Sequence, residues 1–196
     1  PDIVVRRHSV HGMPTEEYAS ALRDRLPDHE IAVARTPATE HDLIEDATVV
    51  TGGAIGETLL SRADSLALFA STYAGYDHLP LDALADRGVA VTTASGVHGP
   101  NLAEYVVGAW LSLARGFLRA RRQQREGVWQ AFRASDFAGS RVCVVGLGAI
   151  GDAVVDRLGG FDVETVAVRH SPEKGAPTDD VYGYDDDHEA LADGHH

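Results

Sequence analysis

The stretch VCVVGLGAIG, Val142 to Gly151, decides how this chain is read. A short apolar run leads directly into Gly146-x-Gly148-x-x-Gly151, and Asp152 to Leu158 then shows the spacing of an amphipathic helix. Strand, glycine turn and helix in that order can cradle a dinucleotide pyrophosphate. Gly146 suits the tight turn, Gly148 lets the backbone approach the phosphates, and Gly151 lets the helix pack close to the strand. The helix start adds free N–H donors and a partial positive charge. With Leu147, Ala149 and Ile150 filling the turn, residues 146–151 are the candidate cofactor-binding segment. Three glycines alone also fit a purely structural turn, and it is the flanking strand, the helix and a second strand at Val163 to Val168 that favour a cofactor.

The end of that second strand distinguishes the dinucleotides. An acidic residue there would bind the ribose 2′-hydroxyl of NAD and repel a 2′-phosphate. This chain carries Arg169, His170 and Ser171 instead, and a guanidinium suits a phosphate. The sequence therefore predicts NADP, with NADPH preferred over NADH. The alternative is an arginine that merely faces solvent.

The 196 residues, 44% of them hydrophobic, are enough for one large or two small cores. The formal charge is −13, from 30 acidic and 17 basic residues, and every basic residue except Lys174 is arginine. Such a balance disfavours nucleic acid and anionic membranes as partners. Acidic excess with almost no lysine resembles proteins of halophilic archaea, in which molar salt screens carboxylate repulsion. GC-rich coding with ordinary acidity is the competing explanation. The lone Cys143 sits in an apolar strand, which points to a small buried hydrophobe and a reducing cytoplasm. No secretory signal or apolar run of membrane-spanning length is evident, so the expected location is cytoplasmic.

Ahead of the glycine motif, residues 1–96 alternate apolar runs with helix-like segments, the pattern of a parallel sheet covered on both faces. Ile3 to Val5, Ile31 to Ala34, Thr48 to Thr51, Leu66 to Thr72 and Val89 to Thr93 are the predicted strands. Pro14 to Leu26 places Tyr18, Leu22 and Leu26 on one helix face, and Leu81 to Arg87 reads as a short helix closed by Gly88. The boundary falls in SGVHGP, Ser95 to Pro100. A single long helix is predicted from Asn101 to Arg125, with Asn101 and Glu104 forming a capping box and Leu102, Val106, Trp110, Leu113 and Phe117 sharing its apolar face. Arg119, Arg121, Arg122 and Arg125 read as a solvated face that counters the helix dipole. Trp110 and Trp129 read as core, with a dimer contact as the alternative. After Phe137 to Ser140 the coenzyme unit is expected to supply strand, helix and strand, then an acidic loop ending at Asp185 to Asp187, with Glu189 to Ala192 beginning another helix. The expected fold is α/β: a flavodoxin-like domain over 1–96, then an incomplete Rossmann dinucleotide-binding domain over 97–196 that stops before its second half. Such a sheet should leave the apolar edge and face of Val142 to Val145 exposed. His195 and His196 lack further spaced ligands, so no metal site is expected.

Two long segments in this order, STYAGYDHLPLDALADRGVAVTTASGVHGPNLAEYVVGAWLSLAR (Ser71 to Arg115) and FAGSRVCVVGLGAIG (Phe137 to Gly151), resemble the D-2-hydroxyacid dehydrogenases. VRHS, Val168 to Ser171, resembles the NADP-preferring members, the glyoxylate and hydroxypyruvate reductases. The resemblance implies a substrate domain first, a coenzyme domain second, and reversible hydride transfer between NADP(H) and C2 of a small 2-oxo or D-2-hydroxy acid. It further implies that main-chain amides of Tyr73, Ala74 and Gly75 hold the substrate carboxylate, that Leu102 packs near the nicotinamide, and that residues 146–151 hold the pyrophosphate. His98 stands where the family has asparagine; it contacts substrate or lines the hinge, or is a satisfied loop histidine. Asp77 and His78 invite an acid–base reading by adjacency, but sequence neighbours rarely face one centre. The family's catalytic arginine, acid and histidine come from segments beyond residue 196, so no catalytic residue is assigned in this chain. A homodimer is the expected assembly. Two other readings stay open: a non-catalytic nucleotide-binding or dimerisation module, and an NAD-linked enzyme of the same fold such as a phosphoglycerate or formate dehydrogenase.

Overall fold

The computed structural model describes residues 1–8, 10–186 and 191, and divides into two compact units, Pro1–Ser95 and Gly96–His196. In the first unit the order is β1 (Ile3–Val5), α1 (Thr15–Arg25), β2 (Ile31–Val33), α2 (Pro37–Ile44), β3 (Val49–Gly52), α3 (Glu57–Leu60), β4 (Leu68–Ser71), α4 (Leu81–Asp86) and β5 (Ala90–Thr92). All five strands are parallel, in the spatial order β2-β1-β3-β4-β5. That is the flavodoxin-like order. Alternation within β1 shows how both faces are covered: Val4 joins Val50, Phe69 and Ile44 on one side, while Ile3 and Val5 join Ala19 and Ile31 on the other. Tyr18, Leu22 and Leu26 pack on that second cluster, as their spacing on α1 predicted. Gly88 closes α4 at φ +70°, a left-handed conformation that glycine enters without strain.

In the second unit the elements are α5 (Gly99–Ala114), α6 (Phe117–Arg125), β6 (Arg141–Val145), α7 (Ala149–Leu158), β7 (Glu164–Val168) and β8 (Asp180–Tyr182), with 3-10 turns at Pro172–Lys174 and Tyr184–Asp186. The three strands are parallel in the order β6-β7-β8, the arrangement of one Rossmann mononucleotide half. Val142, Val154 and Leu158 form a core with Ala103, Val107 and Phe137, and Cys143 turns to the opposite face, toward Val166 and Val168.

The second unit departs from the sequence reading in several places. The long helix is two helices, because Gly116 adopts φ +67° and ends α5. The Phe132 ring fills the space where a Gly116 side chain would stand. Asn101 is not the cap: α5 begins two residues earlier, at Gly99, with His98 in the cap position and no side-chain cap bond. Glu104, freed from that role, lies 3.7 Å from Arg157. The apolar stripe is also displaced. Ala103, Val107, Trp110 and Leu111 pack inward, while Leu102, Val106, Leu113 and Phe117 are exposed. Trp110 meets the Phe137 ring edge-on at 4.4 Å, and Trp129 is fully exposed rather than core. The third strand, β8, was hidden in an acidic segment; Val181 and Tyr182 are its only strong strand formers. Along β6, Val145 is exposed as expected, but Val142 is buried and Cys143 and Val144 are half-buried. Asp187, the segment Glu189 to Ala192 except Leu191, and the His195, His196 pair lie outside the described residues.

Candidate functional site

The glycine turn of the second unit is built by three backbone constraints. β6 ends at Val145 and Gly146 turns the chain at φ +93°, its N–H donating to the Val168 carbonyl at the end of β7 (2.8 Å). Gly148 occupies the cap position of α7 in an extended conformation, and its carbonyl accepts the Asp152 N–H at 2.9 Å. No side chain caps α7, so the amides of Ala149, Ile150 and Gly151 have no intrahelical acceptor. A Cβ at Gly148 would meet nothing within 4 Å, whereas one at Gly151 would overlap the Gly146 carbonyl oxygen. An open floor, free amides and a helix start pressed onto the turn fit a pyrophosphate. Such an arrangement binds an anion through backbone dipoles, without ordering any side chain.

Gly99 is a residue that sequence reasoning passed over. A Cβ there would lie 2.8 Å from the Ala149 carbonyl oxygen and 3.3 Å from the Ala153 Cβ, so its absence seats the start of α5 against the start of α7. No local pattern marks it, because the contact joins residues fifty positions apart. Leu102 sits one turn along α5, partly exposed, and Ile150 is exposed on α7.

At the end of β7 the Arg169 N–H donates to the Tyr182 carbonyl at 3.0 Å, so the unforeseen β8 fixes its backbone. Its guanidinium Nη1 donates to the Gly175 carbonyl at 2.6 Å, which leaves four other N–H donors. His170 is exposed, 6.0 Å edge-on from Tyr184, and Ser171 leads into the 3-10 turn. In β6, burial pushes the Cys143 thiol up, only partly offset by the charge of Arg141. Cys143 is therefore a poor nucleophile.

In the first unit, Tyr73, Ala74 and Gly75 follow β4 at the carboxyl edge of the sheet. Ser71 Oγ accepts the Tyr73 N–H at 3.2 Å, and the Tyr73 ring lies where a Gly53 side chain would stand. His11 and His78 flank that ring edge-on, at 5.4 and 5.5 Å. Each imidazole Nε2 also reaches a backbone carbonyl, Thr72 for His11 (2.6 Å) and Gly53 for His78 (2.7 Å). His78 is thus committed to holding the loop, and the Asp77, His78 adjacency does not form an acid–base pair. His98 belongs to the other unit, half-buried at the start of α5. Among the described residues no group of three or more His, Cys, Asp or Glu is placed to hold a metal, and no helix is long and apolar enough to cross a membrane.

The comparisons agree with this architecture. Residues 107–194 match the family described as "D-isomer specific 2-hydroxyacid dehydrogenase, NAD binding domain". The chain is 36% identical over 111 residues to a glyoxylate/hydroxypyruvate reductase of Arabidopsis thaliana, covering 55% of this chain and 34% of that protein. It is 25% identical over 158 residues to a D-3-phosphoglycerate dehydrogenase of Methanocaldococcus jannaschii, covering 78% of this chain and 30% of that protein. Among solved structures, a D-isomer specific 2-hydroxyacid dehydrogenase family protein from Aeromonas salmonicida superposes with a TM-score of 0.80 at 28% identity, over 97% of this chain and 60% of that one. The matched segments thus span about a third of these curated relatives.

Proposed function

We propose that this chain belongs to the D-isomer specific 2-hydroxyacid dehydrogenase family and carries a substrate domain and a coenzyme-binding domain of an NADP(H)-linked oxidoreductase acting on a small 2-oxo or D-2-hydroxy acid. The observation that carries this reading is the glycine cradle at 146–151 with Arg169 at the tip of the adjoining strand. The amides of Ala149, Ile150 and Gly151 would hold the pyrophosphate, and Arg169, with His170 and Ser171 beside it, would hold a 2′-phosphate. Bound NADPH supplies hydride. In the substrate domain, residues 1–96, the Tyr73 N–H is taken by Ser71 Oγ, so of the Tyr73, Ala74 and Gly75 loop the amides of Ala74 and Gly75 would orient the acid through its carboxylate, and Leu102, from the coenzyme domain of residues 97–196, would exclude water beside the nicotinamide. His98 would line the substrate path.

Titrating the protein with NADPH and NADH by intrinsic fluorescence tests the coenzyme assignment. Arg169→Asp should weaken NADPH about tenfold or more and leave NADH little changed. Unchanged NADPH affinity would refute it. NADPH binding with no turnover of any 2-oxo acid by the full-length protein would select the non-catalytic module instead.

The exposed Leu113, Phe117, Leu118, Val128 and Trp129 fit a homodimer contact. The charge of −13 fits a halophilic, cytoplasmic protein, which should unfold or dissociate as salt is lowered.

A further inference from the structure

The backbone ahead of Ala74 and Gly75 is gripped by a side chain 61 positions earlier in the sequence. It comes from the segment that joins β1 to α1, and that segment has two anchors. The first is electrostatic and lies at the exit of β1. The aliphatic part of Arg6 lies where a Gly52 side chain would stand, its Nε donates to Glu40 Oε1 at 2.7 Å, and Arg7 approaches Oε2 at 3.5 Å. Glu40, on α2, is only 4% exposed. Burial opposes its ionisation, but the hydrogen bond and charge of Arg6, with the charge of Arg7, outweigh that and hold its carboxyl below the ordinary value.

The second anchor is His11. Val10 and Met13 exchange backbone hydrogen bonds of 3.1 and 2.8 Å, and the two residues between them turn the chain, His11 at φ +49° and Gly12 at φ +85°. Positive φ at both central positions is what a type I′ turn requires, and asparagine, aspartate or glycine meets it with least strain. Among the described residues, His11 is the one residue other than glycine at positive φ. The turn itself thus gives no reason for an imidazole. The reason lies outside the turn: His11 Nε2 is 2.6 Å from the Thr72 carbonyl oxygen, and the ring meets Tyr73 edge-on at 5.4 Å. A carbonyl only accepts, so Nε2 is the nitrogen that carries the hydrogen.

This bond completes the pinning of two consecutive residues. The Thr72 N–H donates to the Gly52 carbonyl at 3.0 Å, and the Thr72 carbonyl accepts from His11 at 2.6 Å. The Tyr73 N–H donates to Ser71 Oγ at 3.2 Å, and the Tyr73 carbonyl accepts the Ala94 N–H at 3.0 Å. Gly52, Ser71 and Ala94 belong to the strands or their immediate ends, whereas His11 alone reaches in from a separate loop. Ala74 and Gly75 come next, and among the described residues no hydrogen bond takes their N–H groups. Two open amides directly after a fully bonded pair have their direction fixed before an anion arrives, which spares the ligand the cost of ordering them.

We propose that His11 is a positioning residue for the substrate: by tying Thr72 to the β1–α1 turn, it sets how the Ala74 and Gly75 amides meet the carboxylate of a 2-oxo acid. The role rests on the reading of that loop as the carboxylate site. His11 needs no contact with the ligand to fill it. What it must supply is a donor at the place of Nε2, because the partner is a neutral carbonyl.

The test combines hydrogen exchange and an NMR titration with pyruvate, both on the whole chain. Exchange is followed at the bonded Tyr73 and Ala94 amides, and binding at the open Ala74 and Gly75 amides. His11→Gly suits the positive φ and removes only the imidazole. It should speed exchange at Tyr73 and Ala94 about tenfold and weaken pyruvate about fivefold, the worth of one hydrogen bond. His11→Gln, whose side-chain amide offers a donor near the place of Nε2, should recover most of both. Imidazole nitrogen shifts in the wild type should show Nε2 protonated. Arg62→Gln, which breaks a remote exposed pair with Glu45, should change neither exchange nor affinity. Unchanged exchange and affinity in His11→Gly, an unprotonated Nε2, or a loss that His11→Gln does not recover would overturn the role of His11 and spare the loop reading. Faster exchange with unchanged affinity would reduce His11 to a structural clamp and overturn its role toward substrate. Wild-type Ala74 and Gly75 signals that ignore pyruvate would overturn the carboxylate reading and the role built on it.

Discussion

The two units present their carboxyl strand ends to a ligand in opposite ways. In the second unit the end of β6 is bare backbone: Gly146, Gly148 and Gly151 put amides and a helix start within reach and leave no side chain in the way. In the first unit the ends of β1, β3 and β4 are covered by side chains, with Arg6 laid over Gly52, Tyr73 over Gly53, and His11 and His78 against that ring. Backbone amides fix a charged group that every dinucleotide shares, and they cost no side-chain entropy. Side chains discriminate among ligands, but they must themselves be held, which is what Glu40, Thr72 and the Gly53 carbonyl do.

This contrast predicts that the bare cradle fails through backbone overlap and the covered edge through lost charge pairing. The largest effect should come from Gly151→Val, which drives a side chain into the Gly146 carbonyl; NADPH binding should vanish and stability fall by about 3 kcal/mol or more in urea unfolding. A folded variant that still binds coenzyme would break the comparison. Glu40→Gln comes next. It strands two arginines, one of them largely buried, and should cost about 2–3 kcal/mol.

That cost should depend on pH with a definite sign. The folded carboxyl lies below its ordinary value, so its contribution is complete above the unfolded pKa of about 4.3 and is lost as pH falls through the folded value. The gap between wild type and Glu40→Gln should therefore narrow below about pH 4 in parallel unfolding titrations. A gap that widened with acid would refute the pairing.

Smaller effects probe the helix boundaries of the second unit. Gly116→Ala places a methyl group at φ +67° and 2.5 Å from the Phe132 ring, and should cost about 1–2 kcal/mol. The smallest effect is expected for Asn101→Ala. A true cap would lose about 1 kcal/mol, but Asn101 lies inside α5, so the melting temperature should scarcely move.

The cradle was legible in the sequence because its constraints are local: a run of apolar residues, three glycines at fixed offsets and a helical repeat all lie within about twenty positions. The five strands of the first unit were legible for the same reason, since short apolar runs between turn signals have few other uses. The buried face of α5 was not. Leu102, Val106, Leu113 and Phe117 repeat at helical spacing as convincingly as Ala103, Val107 and Leu111, and only packing against α7 and Phe137 selects the second set. A stripe of large apolar side chains beginning at Leu102 was the natural reading, yet where α5 starts against α7 the inward positions are the small Gly99 and Ala103, and the large Trp110 and Leu111 pack inward only farther along.

Local order along the chain was enough to establish two parallel-sheet units, with a glycine turn at Gly146–Gly151 between a strand and a helix and an arginine at the tip of the next strand. Periodicity and backbone freedom are properties of neighbouring residues. Tertiary structure alone decided that Gly116 breaks the helix, that Val181 and Tyr182 complete the sheet, and that Arg6 and Arg7 share one buried carboxylate. Each of these depends on which distant group arrives opposite, and burial makes that meeting strong enough to override local preference.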